Sequence, residues 1–138
     1  MTDPEIQKEI AVMTAYFREE ILRGKTRTVD LLGRKCEPQL LYTFLGFEVK
    51  LGPKRLTCPD MTTARYLRIF GKLGMPAIEI PYDPTKTARV LPVLERSMER
   101  IDRLLEEGEP ERIRRQRTIQ RVYRKIRLRL QEFRLDML

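Results

Sequence analysis

Ile6, Ile10, Met13, Phe17 and Ile21 recur at spacings of four, three, four and four residues, which stacks them on one face of an α-helix. The same period returns near the other end of the chain. Val90, Leu94, Met98, Ile101 and Leu105 form one stripe, and Ile119, Val122, Tyr123, Ile126, Leu130, Phe133 and Met137 form another. Long amphipathic helices therefore bracket the chain, and each must bury its stripe against something. Their ends are marked as well. Asp3-Pro4 and Asp83-Pro84 each place a capping carboxylate before a proline at the first helical position. Gly24 is a natural stop for the first helix. Pro92 either kinks the helix begun at residue 84 or marks its true start. In Glu106-Glu107-Gly108-Glu109-Pro110 a glycine closes one helix and a proline opens the next. So short a connection predicts an antiparallel helical hairpin.

Residues 26–82 follow a different rule. Phe47, Val49 and Leu51 alternate with Glu48 and Lys50, the pattern of a half-buried strand. Gly52-Pro53-Lys54-Arg55 is turn chemistry, and Leu56-Thr57-Cys58 returns as a second strand, which makes a hairpin. Asp60 caps a helix over residues 61–73, whose Ala64, Leu67, Phe70 and Leu73 share a face, with Gly74 ending it. Residues 77–82 read as a further strand, and Pro81 assigns it to an edge or a strand end. Residues 41–46 followed by Phe47-Glu48-Val49 echo residues 67–74 followed by Ile78-Glu79-Ile80. Both stretches read as a helix, a Leu-Gly pair, then an apolar-Glu-apolar strand. If residues 26–32 are also a strand, the order becomes βαββαβ, the split βαβ arrangement; residues 28–33 fit a helical turn equally well. The expected fold is one α+β domain spanning residues 1–138. It has an N-terminal helix (1–25), a core with a small central sheet (26–82) and a C-terminal helical hairpin (83–138). A homodimer through the helical faces is a further expectation.

The chain is long enough for a sizeable core. Its 41% apolar and 35% charged content argues against general disorder and against a membrane protein. The apolar run at residues 40–47 falls far short of the ~20 residues a helical span needs. The acidic, polar start MTDPEIQKEI lacks the pattern of a secretory signal. Cys36 and Cys58 stand alone, without a CxxC pair and with no histidine anywhere. Free thiols, no structural metal and a cytoplasmic protein follow as expectations. There is no phosphate-binding GxxxxGK[ST] or GxGxxG loop. The lack of histidine removes Ser-His-Asp and Cys-His catalysis. Pro59-Asp60 with Glu79 is similar to the Pro-Asp…Glu-x-Lys motif of metal-dependent nucleases, but Pro81 occupies the lysine position and Asp60 already serves as a cap. No cofactor is expected, and the protein is read as a non-enzyme.

The formal charge of +8 is distributed unevenly. Residues 111–138 carry 10 basic and 3 acidic side chains, and the rest of the chain carries 18 and 17. On a helical wheel Arg114, Arg117, Arg121, Arg124 and Lys125 form one sector, opposite the apolar stripe. Such a row is the footprint of a polyanion binder, and arginine suits bidentate phosphate contact. It is also what a solvated face looks like. Glu99, Asp102, Glu106, Glu107 and Glu109 lie where a hairpin brings them against the arginines. Residues 60–74 resemble the recognition helix of winged-helix DNA binders, with a polar start, Arg65-Tyr66-Leu67-Arg68, then Leu73-Gly74 before a strand. That resemblance implies that Thr62, Thr63, Arg65 and Arg68 contact groove and phosphates; it extends over about 20 residues, and a hairpin stands where the family has a preceding helix. The expected function is binding of DNA or RNA through Arg114, Arg117, Arg121, Arg124 and Lys125, aided by Lys54, Arg55, Arg65 and Arg68. The alternative is an adaptor or assembly factor that docks an acidic protein.

Overall fold

The computed structural model describes residues 3–136. Its elements are α1 (Pro4–Phe17), continued by one π-helical stretch (Arg18–Leu22), β1 (Thr26–Asp30), β2 (Gln39–Thr43), β3 (Gly46–Leu51), β4 (Lys54–Cys58), α2 (Met61–Lys72), β5 (Ala77–Pro81), α3 (Pro84–Gly108) and α4 (Arg112–Asp136). The fold is α+β, with the helices at the two ends and the strands between them.

Local chemistry sets the helix starts. Asp3 Oδ1 accepts from the Glu5 amide at 2.8 Å, Asp60 Oδ1 from Thr63 at 2.7 Å and Asp83 Oδ1 from Thr85 at 2.9 Å. All five residues of the first stripe, four in α1 and Ile21 in the π-helical stretch, are buried. A side chain of that size contributes about 2 kcal/mol when buried, so the stripe more than intrinsic propensity keeps α1 helical. Helix α3 runs unbroken through Pro92. The carbonyl that this proline leaves without a helical donor belongs to Ala88, and both residues are exposed, so water reaches it. The described stripe residues of α3 and α4 are buried within the same chain, except the half-buried Ile119, so most of the faces that suggested a helical dimer are packed internally. Met137, the last member of the α4 stripe, lies outside the described residues.

The strands form two antiparallel sheets. β2, β3 and β4 are a meander, with Leu40 opposite Val49 and Val49 opposite Leu56. β5 does not join this hairpin. It pairs with β1, Thr26 opposite Pro81 and Asp30 opposite Ala77, so residues 26–30 are a strand and Pro81 stands at a strand end. Residues 41–46 are not helical, contrary to what the echo between the two halves implied. They complete β2 and its turn, and no helix lies between β1 and β4 to make a split βαβ unit. Periodicity does not separate strand from helix in so short an apolar run. Pairing decides it: Gly46, at φ +113°, closes a two-residue turn that lays β2 along β3.

Helix α2 lies at the centre, between the meander and α3, with residues buried on nearly every side. Its Phe70 ring meets Phe17 of α1 at 5.4 Å and Tyr66 at 5.1 Å. Gly71 admits β3 closely, since a Cβ there would stand 2.5 Å from Leu51 Cδ2.

Candidate polyanion-binding face of the last helix

Glu111 starts α4, its carboxylate accepting from the amides of Ile113 (3.1 Å) and Arg114 (2.7 Å). Val122, Tyr123, Ile126, Leu130 and Phe133 are then buried. Near the loop α4 packs on α3, where the Tyr123 hydroxyl donates to Asp102 at 2.6 Å and Lys72 donates to the same carboxylate at 2.9 Å. Burial and the Asp102 bond hold the Tyr123 phenol well above its ordinary pKa. Farther along, α4 leaves α3 for the end of α2 and the β1–β5 sheet. Arg127 donates to the Leu73 carbonyl at 2.7 Å, and Arg134 forks onto Glu79 at 2.5 and 2.6 Å. Arg18 and Arg129 both sit 4.6 Å from the centre of the Phe133 ring. Several arginines of this helix are therefore structural, and the helices of the hairpin meet mainly at its closed end.

Arg114, Arg117, Arg121 and Arg124 are different. They are exposed along one side of α4, and among the described residues their side chains make no hydrogen bond or ion pair. Lys125 is exposed beside them. The upstream acids do not neutralise this row by pairing with it. Asp102 is held by Lys72 and Tyr123, and Glu109 accepts from the Glu111 amide at 3.3 Å. Arg114, Arg117 and Arg121 also line a cleft of about 690 Å³ between α4, the end of α3 and the start of α1. Ile6, Leu105 and Val122, buried, and Leu104, half-buried, give it an apolar floor, while Asp3 and Glu109 stand in its wall.

The other candidate cations are not part of this face. Arg65 pairs with Glu95 of α3 through two bonds, one of them Nε at 3.1 Å, and Arg68 reaches the same carboxylate at 3.4 Å. On α3, Glu95 and Asp102 lie on the side opposite Leu104 and Gly108, which line the cleft. Arg55 pairs with Glu48 at 2.9 Å, and Lys54 donates to the Leu31 carbonyl at 3.4 Å. With Thr63 buried and a strand hairpin before it, α2 is placed as a core helix, unlike a recognition helix. Asp60 caps α2 while Glu79 is taken by Arg134, and among the described residues no group of three or more Cys, Asp or Glu is arranged to hold a metal. Cys36 and Cys58 are free thiols, both pushed up in pKa chiefly by burial. No described helix is long and apolar enough to cross a membrane.

Sequence reasoning missed the cleft, because no local signal joins Ile6 to Leu104. It also passed over the exposed apolar turn at Phe44-Leu45, whose signal was available: two large apolar residues where a turn ordinarily places polar ones. In comparisons with known proteins, no family model, no curated protein and no solved structure matches the chain.

Proposed function

We propose that this protein is a non-enzymatic nucleic-acid-binding protein that grips phosphates through α4. The observation that carries this reading is the row Arg114, Arg117, Arg121 and Arg124, exposed and without a side-chain partner among the described residues, while the other candidate arginines are engaged. With a rise of about 1.5 Å per residue, the row extends about 15 Å along the helix, enough for several successive backbone phosphates. Contacts of this kind release counterions, so affinity falls steeply with salt and varies little with base sequence.

Fluorescence anisotropy with labelled duplex DNA, single-stranded DNA and RNA, each titrated at several salt concentrations, tests the reading. We expect the salt slope to fall by about three, roughly one per lost contact, in Arg117→Gln/Arg121→Gln/Arg124→Gln. Absence of binding at low salt overturns the nucleic-acid reading. One observation favours a second reading, an adaptor for an acidic protein: the cleft floor is apolar, which phosphate does not require. An amphipathic helix with acidic side chains would use both floor and arginines. Leu104→Ser then weakens peptide capture and leaves phosphate binding unchanged.

A further inference from the structure

The β2–β3 hairpin turns through Phe44 and Leu45, positions where two-residue turns favour Gly, Asn or Asp. Neither side chain helps to close the turn. Gly46 supplies the unusual backbone angle, and the Thr43 hydroxyl donates to the Gly46 carbonyl and accepts from the Leu45 amide, both at 3.2 Å. Phe44 is 105% exposed, Leu45 78% and Tyr42 79%. The Tyr42 ring meets Phe47 in a tilted contact, centroids 5.0 Å apart, on the sheet face that α2 covers farther along. The meander's apolar face thus runs out past its covering helix and ends in two apolar side chains in water.

β2 is also an edge of its sheet, with β3 on one side and, among the described residues, no strand on the other. Natural edges are commonly blunted by charge, proline or a bulge. Gln39-Leu40-Leu41-Tyr42-Thr43 has none of these within the strand, whereas the opposite edge, β4, carries Lys54 and Arg55. We propose that β2 pairs antiparallel with β2 of a second copy of this chain, which sets the apolar tip of each copy beside Pro38, at the start of the partner's strand. The strand complements itself. In a two-fold pairing centred on Leu41, Gln39 meets Thr43 and Leu40 meets Tyr42, so no charge meets charge and Leu40 and Tyr42 of both copies share a face. An anionic lipid surface is a poorer match, because no Lys or Arg lies between Lys35 and Lys50 to accompany the tip.

Sedimentation velocity on the full chain, from on the order of 1 to 100 µM because interfaces of modest area span a wide range of affinity, reads the outcome. We expect wild type to shift from one chain to two as concentration rises. Phe44→Ser/Leu45→Ser, altered only at exposed positions, should remain single at every concentration with an unchanged circular dichroism spectrum. Gln39→Lys/Thr43→Lys and Gln39→Glu/Thr43→Glu should each stay single, and mixing them should restore the two-chain species, which a general loss of folding cannot do. The proposal is overturned by a wild type that stays single throughout, by dimers that persist in the tip variant, or by failure of the mixture to associate. Single-chain wild type that co-sediments with phosphatidylcholine–phosphatidylserine vesicles would assign the tip to lipid and equally overturn it.

Discussion

Arg134 and Glu79 stand 55 residues apart in the chain and form a two-bond ion pair that ties α4 to β5. Glu79 is buried, so removing the arginine would strand a carboxylate in the interior, which costs several kcal/mol, whereas replacing both members together costs less. We expect Arg134→Leu to lower unfolding free energy by about 3 kcal/mol in urea denaturation and Arg134→Leu/Glu79→Leu to lower it less. Two phenols carry a pH dependence. Burial, then the nearby Glu79 charge, holds Tyr66 well above its ordinary pKa; burial, then the Asp102 bond, does the same for Tyr123. Below the unfolded tyrosine pKa of about 10 both phenols are protonated in either state, and their contribution is fully present. Above it the unfolded chain releases protons that the folded chain retains, so stability falls as pH rises. A phenolate absorbance titration followed alongside circular dichroism checks this. Tyr66 and Tyr123 should ionise only together with loss of the circular dichroism signal.

At the scale of elements, two helices rich in arginine have opposite roles. α2 turns Arg65 and Arg68 onto Glu95, closing its contact with α3, while α4 leaves Arg114, Arg117, Arg121 and Arg124 on its outer side. A residue count does not separate these placements, because an arginine in an internal pair and an exposed one look alike in a sequence. The distinction is testable. Arg65→Gln/Arg68→Gln should lower the thermal midpoint by a few degrees, as expected for about 1 kcal/mol in a domain of this size. It should leave both the affinity for nucleic acid and its salt slope unchanged, the reverse of the α4 triple variant. A double variant that lowered the salt slope as much as the α4 variant does would move the binding face to α2.

For the whole molecule, the sequence by itself determined what depends on neighbours within about one helical turn. The apolar stripes of α1, α3 and α4, the three aspartate caps, the β3–β4 hairpin and the concentration of positive charge after residue 110 were all legible in it, because capping and amphipathic spacing act between residues two to four positions apart. Tertiary structure alone decided how residues distant in sequence meet. It made residues 39–43 a strand by laying them along β3, paired β5 with β1 across the intervening meander, and turned α4 from α3 toward Glu79. It also gathered Ile6, Leu104 and the α4 arginines into one cleft, and gave Arg65 a carboxylate 30 residues away. These outcomes rest on which surfaces exclude water together and which charges finish within reach of one another. That is a property of the packed chain, since neither period nor composition records the distance between two side chains after folding.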